Sequence, residues 1–180
     1  MNIVLLEPLS ISKELLDGYG DRLRNLGHTF TSFAERTEDE EVLTQRAKDA
    51  DIAVIANVKF PAAVINSCPR LKMISIAFTG VDHVDLESCR KRGIAICNAA
   101  GYSTDSVAEL VIGHILMKLR NLAECDHAVR SGLTKTGLVG NTLKGKTVGI
   151  AGTGSIGLRT AELLKTFGCE LLGWSRSERK

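Results

Sequence analysis

A chain of 180 residues with a net charge of +2, 44% hydrophobic and 24% charged, has the composition of a globular protein, not of a disordered or polyanion-binding one. No apolar run approaches the ~20 residues of a membrane span, and the start, NIVLLEPLS, lacks the basic lead and long apolar core of a signal peptide. A cytoplasmic protein with neither a nucleic-acid nor a membrane partner is therefore expected. The five cysteines, Cys68, Cys89, Cys97, Cys125 and Cys169, are widely spaced and never C-x-x-C, so neither a disulfide framework nor a metal site is expected.

In chain order, residues 2–6 read as an apolar strand. Leu15, Leu16, Tyr19, Leu23 and Leu26 then recur at helical spacing until Gly27 ends the helix, and 28–33 is a shorter strand. Thr37, with Glu40 three residues later, reads as a capping box for a helix that turns Val42, Leu43 and Ala47 inward. Residues 52–56 form a continuous apolar strand, expected to be buried on both faces. Pro61 opens a short helix through Ile65; 71–77 is a fourth strand, 86–92 a helix and 94–97 a fifth strand. Strict alternation of strand and helix predicts a parallel α/β layer in the flavodoxin-like strand order.

After Asn98 the pattern changes. Residues 98–103 are small and turn-forming, a candidate hinge that divides the chain into domains at 1–98 and 99–180. Ser103 is placed to cap the next helix, and 107–122 is apolar on nearly every side, so this helix is expected to be buried all round, on its own domain or on a partner subunit. Residues 131–143 form a glycine-rich, irregular connection.

The stretch KTVGIAGTGSIGLRTAELLKTFGCELLGWSR, 146–176, organises the rest. A short strand over 147–151 runs into Gly152, Gly154 and Gly157 at G-x-G-x-x-G spacing, directly before a helix whose apolar face is Ala161, Leu163, Leu164 and Phe167. Gly168 stops that helix and 169–174 resume as a strand. This is the first βαβ unit of a Rossmann domain, incomplete within these residues. Gly152 permits the tight turn, Gly154 admits a pyrophosphate to the backbone, and Gly157 lets helix and strand approach. With Ser155 and Ile156, these glycines present amides to a dinucleotide at the positive end of the helix. Strand, triplet, helix and strand together make the motif more specific than a lone glycine triplet; a packing turn without a ligand is the alternative.

Three blocks carry a family likeness: FTGVDHVD at 78–85, NAAGYSTDSVAEL at 98–110 and LKGKTVGIAGTGSIG at 143–157. In these the chain resembles the D-isomer-specific 2-hydroxyacid dehydrogenases. It departs from the family at Ala100, where proline is frequent, and at Asp82 and His83, where many members have a further glycine or tyrosine. The resemblance implies an NAD(P)-dependent oxidoreductase that interconverts a small 2-oxo acid and its D-2-hydroxy acid. Hydroxypyruvate, glyoxylate, 3-phosphoglycerate and lactate-type acids are all open as substrates.

It also implies that the backbone amides of Gly80 and Val81 hold the substrate carboxylate, with the turn itself as an alternative role for Gly80. Thr104 and Val107 match positions facing the cofactor. Asn57, at the carboxyl end of the third strand, lies where open α/β sheets bind ligands, and Lys59 is either a further attraction for an anion or simply solvated. The general acid/base histidine, its glutamate and the carbonyl-polarising arginine of the family lie beyond residue 180, so no catalytic residue is assigned here, and the 180 residues alone are expected to be inactive. His28, His83, His114 and His127 offer no substitute.

The expected cofactor is NAD(P), with NADP favoured. Where an NAD-specific unit places a carboxylate for the ribose 2′-hydroxyl, this chain has Ser175, followed by Arg176, which can pair with a 2′-phosphate; Ser177 is a further donor. Arg179 and Lys180 add positive charge and Glu178 opposes it, while Arg176 lying over the adenine or in solvent is the alternative. A homodimer built partly on the helix from Thr104 to Arg120 is expected when the protein is full length. The competing function is a non-catalytic nucleotide-binding or interaction module, akin to a corepressor. A phosphoacceptor receiver fails at Asn57, where that chemistry wants an aspartate.

Overall fold

The structure is a computed structural model that describes residues 1–177. It divides into two compact units, Met1–Ala100 and Gly101–Lys180.

The first unit alternates β1 (Asn2–Leu5), α1 (Lys13–Asn25), β2 (Thr29–Ser32), α2 (Glu40–Ala47), β3 (Ile52–Ile55), α3 (Ala62–Asn66), β4 (Met73–Ile76), α4 (Leu86–Arg92) and β5 (Ala95–Asn98). All five strands are parallel, in the order β2-β1-β3-β4-β5, with Ile3 beside Ile52 and Ile52 beside Met73. This is the flavodoxin-like order. The chain leaves β1 to one side and returns to the other as β3, so the topological switch lies at the carboxyl ends of β1 and β3. The core joins Leu6, Ile55, Val58, Phe60, Ile74 and Ile76 with Leu43 and Ala47 of α2 and Val64 and Ile65 of α3.

Several local expectations change. Asp39, not Thr37, caps α2: its carboxylate accepts from the amides of Glu41 (2.8 Å) and Val42 (3.1 Å), while the Thr37 hydroxyl accepts from Asp39 N–H (3.1 Å). Val42 is 39% exposed, although Leu43 and Ala47 are buried. β3 is fully buried on one face only, through Ala53 and Ile55; Ile52 and Val54 are half-buried. Leu15, Tyr19 and Leu26 of the α1 region stay exposed because the helix turns Gly20 inward, and a Cβ there would lie 2.8 Å from the Phe30 ring.

The second unit contains α5 (Thr104–Leu119), α6 (Leu122–Arg130), β6 (Thr147–Ala151), α7 (Ser155–Thr166) and β7 (Glu170–Trp174). β6 and β7 are parallel, Thr147 beside Glu170 through Ala151 beside Trp174. Ile112, Leu143 and Leu164 form its buried centre, with Ile115, Leu116, Leu119, Val148, Ile150 and Leu163 against it. Its own unit does not bury the helix all round: within α5 only Ala108 and Ile112 are buried, while Leu110 and Met117 are 58% and 46% exposed. It also stops at Leu119, because Asn121 takes a left-handed conformation (φ 50°) and α6 starts anew. Phe167 falls past the end of α7 and is 39% exposed instead of packing on its apolar face. Among the described residues no helix is long and apolar enough to cross a membrane.

Candidate functional site

In the second unit, β6 hands the chain to a turn that glycine shapes. Gly152 has φ 103°, a region that side chains resist, and its amide donates to the Trp174 carbonyl at 2.8 Å, which ties the turn to the end of β7. A Cβ on Gly157 would stand 2.0 Å from the Gly152 carbonyl oxygen, so α7 can start this close to the turn only with glycine there. The neighbour it makes room for is thus the turn itself more than the strand; Ile150 is farther, at 3.4 Å.

Gly154 is different. Its φ is an ordinary −75°, and an added Cβ would meet nothing within 4 Å. Neither backbone strain nor packing demands glycine at 154; what it keeps open is the approach to the amides of Ser155, Ile156 and Gly157. These open a 12-residue helix with no side-chain cap, so they and the positive end of the helix are available to an anion.

Thr104, half-buried, is the first residue of α5. Ser103 holds the cap position, but its side chain accepts no capping bond: at φ −106°, ψ 9° it lacks the extended conformation of a capping serine. Arg159 of α7 ties the start of α5 down instead, with Nε 2.6 Å from Asp105 and a second nitrogen 2.8 Å from Glu162. The bonds to Glu162 and then Asp105 raise the pKa of this guanidinium. Ser175 is half-buried and Arg176 exposed just beyond β7. Glu178, Arg179 and Lys180 lie outside the described residues.

In the first unit, Asn57 and Lys59 are exposed in the segment after β3, and Gly80 and Val81 are half-buried after β4. The segment after β4 is held at both ends: Ala99 N–H donates to the Phe78 carbonyl (3.0 Å), the Asn98 side-chain amide to Thr79 (2.7 Å) and Val84 N–H to Val81 (3.0 Å). The amides of Gly80 and Val81 find no acceptor among the described residues. Gly80 has no left-handed φ, and an added Cβ would touch only Asp82, at 4.0 Å. Buried Phe60 joins the two segments, accepting from Asp85 N–H (3.2 Å) and donating to the His83 carbonyl (2.8 Å).

Glu7 was not among the sequence candidates. It stands at the switch point, 2% exposed, and its Oε1 accepts from the consecutive amides of Ala56 (2.7 Å), Asn57 (2.9 Å) and Val58 (2.8 Å). This is why β3 ends at Ile55: the next amides turn toward the carboxylate. Asp51, at the start of β3, is also buried. The Asn2 amide at 2.7 Å, then Lys72 and Arg70 at 3.2 Å, hold its carboxyl down at a pKa of about 2. It lies at the opposite end of the strand from Asn57.

His28 sits 3.4 Å from the N-terminal amine, and His114 and His127 are exposed. Burial raises the thiol pKa of Cys68 and Cys89. Among the described residues no cluster of His, Cys, Asp or Glu is arranged to hold a metal ion.

Residues 5–173 match the family model described as D-isomer specific 2-hydroxyacid dehydrogenase, catalytic domain. A glyoxylate reductase of Thermofilum pendens is 39% identical over 139 residues, covering 74% of this chain and 41% of that protein. Two solved structures have the same fold. One is an acyclic imino acid reductase in complex with NADPH and D-Arg (TM-score 0.89, 25% identity, 100% of this chain and 58% of that one). The other is an NAD-dependent formate dehydrogenase from Staphylococcus aureus in complex with NAD (TM-score 0.84, 29% identity, 98% and 56%). The chain spans less than half the length of the curated relatives it matches. With three sequence blocks, the strand order and the glycine turn all in agreement with that match, the chain belongs to the D-isomer specific 2-hydroxyacid dehydrogenases.

Proposed function

We propose that this chain supplies the substrate-binding unit and the first part of the cofactor unit of an NAD(P)-dependent oxidoreductase that interconverts a small 2-oxo acid and its D-2-hydroxy acid. The observation that carries the reading is the turn at 152–157. Gly157 is required by contact with Gly152, whereas Gly154, required by neither contact nor φ, leaves uncapped helix amides open to a diphosphate. A nicotinamide dinucleotide fits this donor set, and when bound it supplies the hydride. The amides of Gly80 and Val81 hold the carboxylate of the acid, and Asn57 gives it a further contact. Thr104 lies along the cofactor, and Ser175 with Arg176 favours NADP. The acid/base histidine, its glutamate and the polarising arginine belong to residues beyond 180.

Two companions of this reading are a cytoplasmic location, in keeping with five unbridged cysteines, and a homodimer built partly on α5, whose Leu110 and Met117 are exposed. Fractionation of cells tests the first. Sedimentation of Leu110→Glu tests the second, an unchanged dimer removing α5 from the interface.

The decisive experiment assays the full-length protein with NADH and NADPH against glyoxylate, hydroxypyruvate, 3-phosphohydroxypyruvate and pyruvate. Cofactor-dependent reduction of at least one is expected. Cofactor binding without turnover of any would replace the enzyme by a nucleotide-binding module.

A further inference from the structure

Asn57 is held by more of the structure than its exposure suggests. Its amide N–H goes to Glu7, as do those on either side of it. Successive amides converging on one point form an anion-binding nest, and here the protein's own buried carboxylate fills it. That pins the backbone at 56–58 and withdraws those three donors from any ligand.

The side chain is fixed separately. Arg36, from the segment between β2 and α2, donates to Asn57 Oδ1 and lies 3.4 Å from the Asn57 carbonyl. The same guanidinium sits 3.0 Å from Glu38 and 3.5 Å from the second oxygen of Glu7. A planar fork of donors serves several acceptors at once in a way a lysine cannot. With two carboxylates beside it the arginine is neutralised, so it offers little net charge to an anionic ligand.

A carboxamide has one acceptor oxygen and two N–H donors. Because Arg36 takes the oxygen, Asn57 presents its Nδ2–H groups, and among the described residues nothing accepts from them. Freed from Arg36, the amide can turn over and put its oxygen where an anion would sit.

We propose that Arg36, anchored by Glu7, is a positioning residue that locks the Asn57 carboxamide with Nδ2–H outward as a donor to an oxygen of the 2-oxo acid. The inference rests on the substrate role of Asn57 given under Proposed function.

The test uses the full-length protein. It measures KM for glyoxylate and, with cofactor present, the dissociation constant of oxamate, a 2-oxo acid isostere that is not reduced. Asn57→Ala should raise both by about 10- to 100-fold, the worth of a hydrogen bond to a charged group, with kcat altered less. Arg36→Ala should raise both by about 3- to 10-fold in the native background but by less than about twofold in the Asn57→Ala background, since coupled residues are not additive. Asn57→Asp keeps the partner of Arg36 yet offers only acceptors, so it should bind oxamate no better than Asn57→Ala; rescue by aspartate would overturn the proposal. An equal loss from Arg36→Ala with or without Asn57 would overturn it too, by showing that the arginine meets the ligand itself. A strong Asn57→Ala effect beside a silent Arg36→Ala sinks the positioning role alone. An unchanged KM and oxamate affinity in Asn57→Ala sinks the substrate role beneath it.

Discussion

The two units arrange their backbone amides by opposite means. In the first, side chains shape the site: Glu7 fills one nest, Arg36 holds Asn57, and a five-stranded sheet with a deep apolar core keeps these groups in place. In the second, the absence of side chains shapes it. Gly152 and Gly157 let the turn and helix touch, Gly154 keeps the approach open, and among the described residues the unit's apolar cluster has three buried members, Ile112, Leu143 and Leu164. A site built from side chains is changed by deleting groups, and a site built from bare backbone by adding them.

The largest expected effect tests the difference in support. Phe60 is fully buried between the segments after β3 and β4, so Phe60→Ala should cost about 3–5 kcal/mol of stability. Leu172 in β7 is 64% exposed, and Leu172→Ala should cost less than about 0.5 kcal/mol. Denaturant titration gives both values, and hydrogen exchange should place the loss for Phe60→Ala in β1–β5. Similar costs at the two positions would mean that Leu172 is covered in the protein in solution.

Second in size is the contrast between two glycines. Gly157→Ala drives a methyl into the Gly152 carbonyl, so the turn must open. NAD(P)H affinity should fall by more than about 100-fold, since the amides of the helix start lose their aim. Gly154→Ala meets no protein atom, and its melting temperature should be unchanged. Under the proposed function its cofactor affinity should nonetheless fall by about tenfold or more, because the new Cβ would stand in the way of a diphosphate. Titration calorimetry with differential scanning calorimetry separates the two; unaltered affinity in Gly154→Ala would remove the dinucleotide from this turn.

What could be read from the sequence follows the same division. The strand order was legible because short apolar stretches alternate with helical ones, and the glycine turn was legible because its residues are two to five apart. Glu7 was not: it contacts residues some 50 positions away, and a glutamate ending an apolar strand reads as the place where the strand meets water. Its position at the carboxyl end of the first strand, beside the switch point, was the available signal. What covers α5 was not legible for another reason. Apolar composition tells what a helix can cover, and Leu110 and Met117 have nothing in their own unit to cover. At α2 two residues were able to cap, and Asp39 won because its carboxylate reaches two amides at once.

The cofactor choice is next in size and concerns only the second unit. Arg176 makes no ion pair among the described residues, and Ser175 brings no carboxylate to repel a phosphate. Arg176→Ala should therefore weaken NADPH by about 10- to 100-fold, the worth of charge-assisted bonds to a phosphate, and leave NADH nearly unchanged. Ser175→Asp should shift preference toward NADH. Equal losses of both cofactors in Arg176→Ala would show that this arginine does not read the 2′-phosphate.

The smallest expected effect sharpens the comparison through acid. Among the described residues the carboxyl groups held below their ordinary range, Glu14, Asp51 and Asp85, all lie in the first unit, each lowered chiefly by backbone amides. For Asp51 the folded pKa is about 2 against an ordinary 3.8. A carboxyl whose pKa is depressed on folding binds protons more readily when unfolded, so it stabilises the fold above its ordinary pKa, and that contribution is lost as pH falls through the folded value. The window for Asp51 therefore runs from about pH 4 down to about pH 2. Its partners Arg70 and Lys72 are 59% and 70% exposed, so solvent screens those pairs and the Asn2 amide carries most of the effect. Asp51→Asn, which keeps an oxygen for that amide but loses the charge, should lower stability at neutral pH and thereby flatten the acid limb of the first unit. Hydrogen exchange followed from pH 5 to pH 2.5 should show protection falling faster in β1 and β3 than in β6 and β7, with the gap narrowed in Asp51→Asn. A parallel fall in both units would place the acid-sensitive group somewhere other than Asp51.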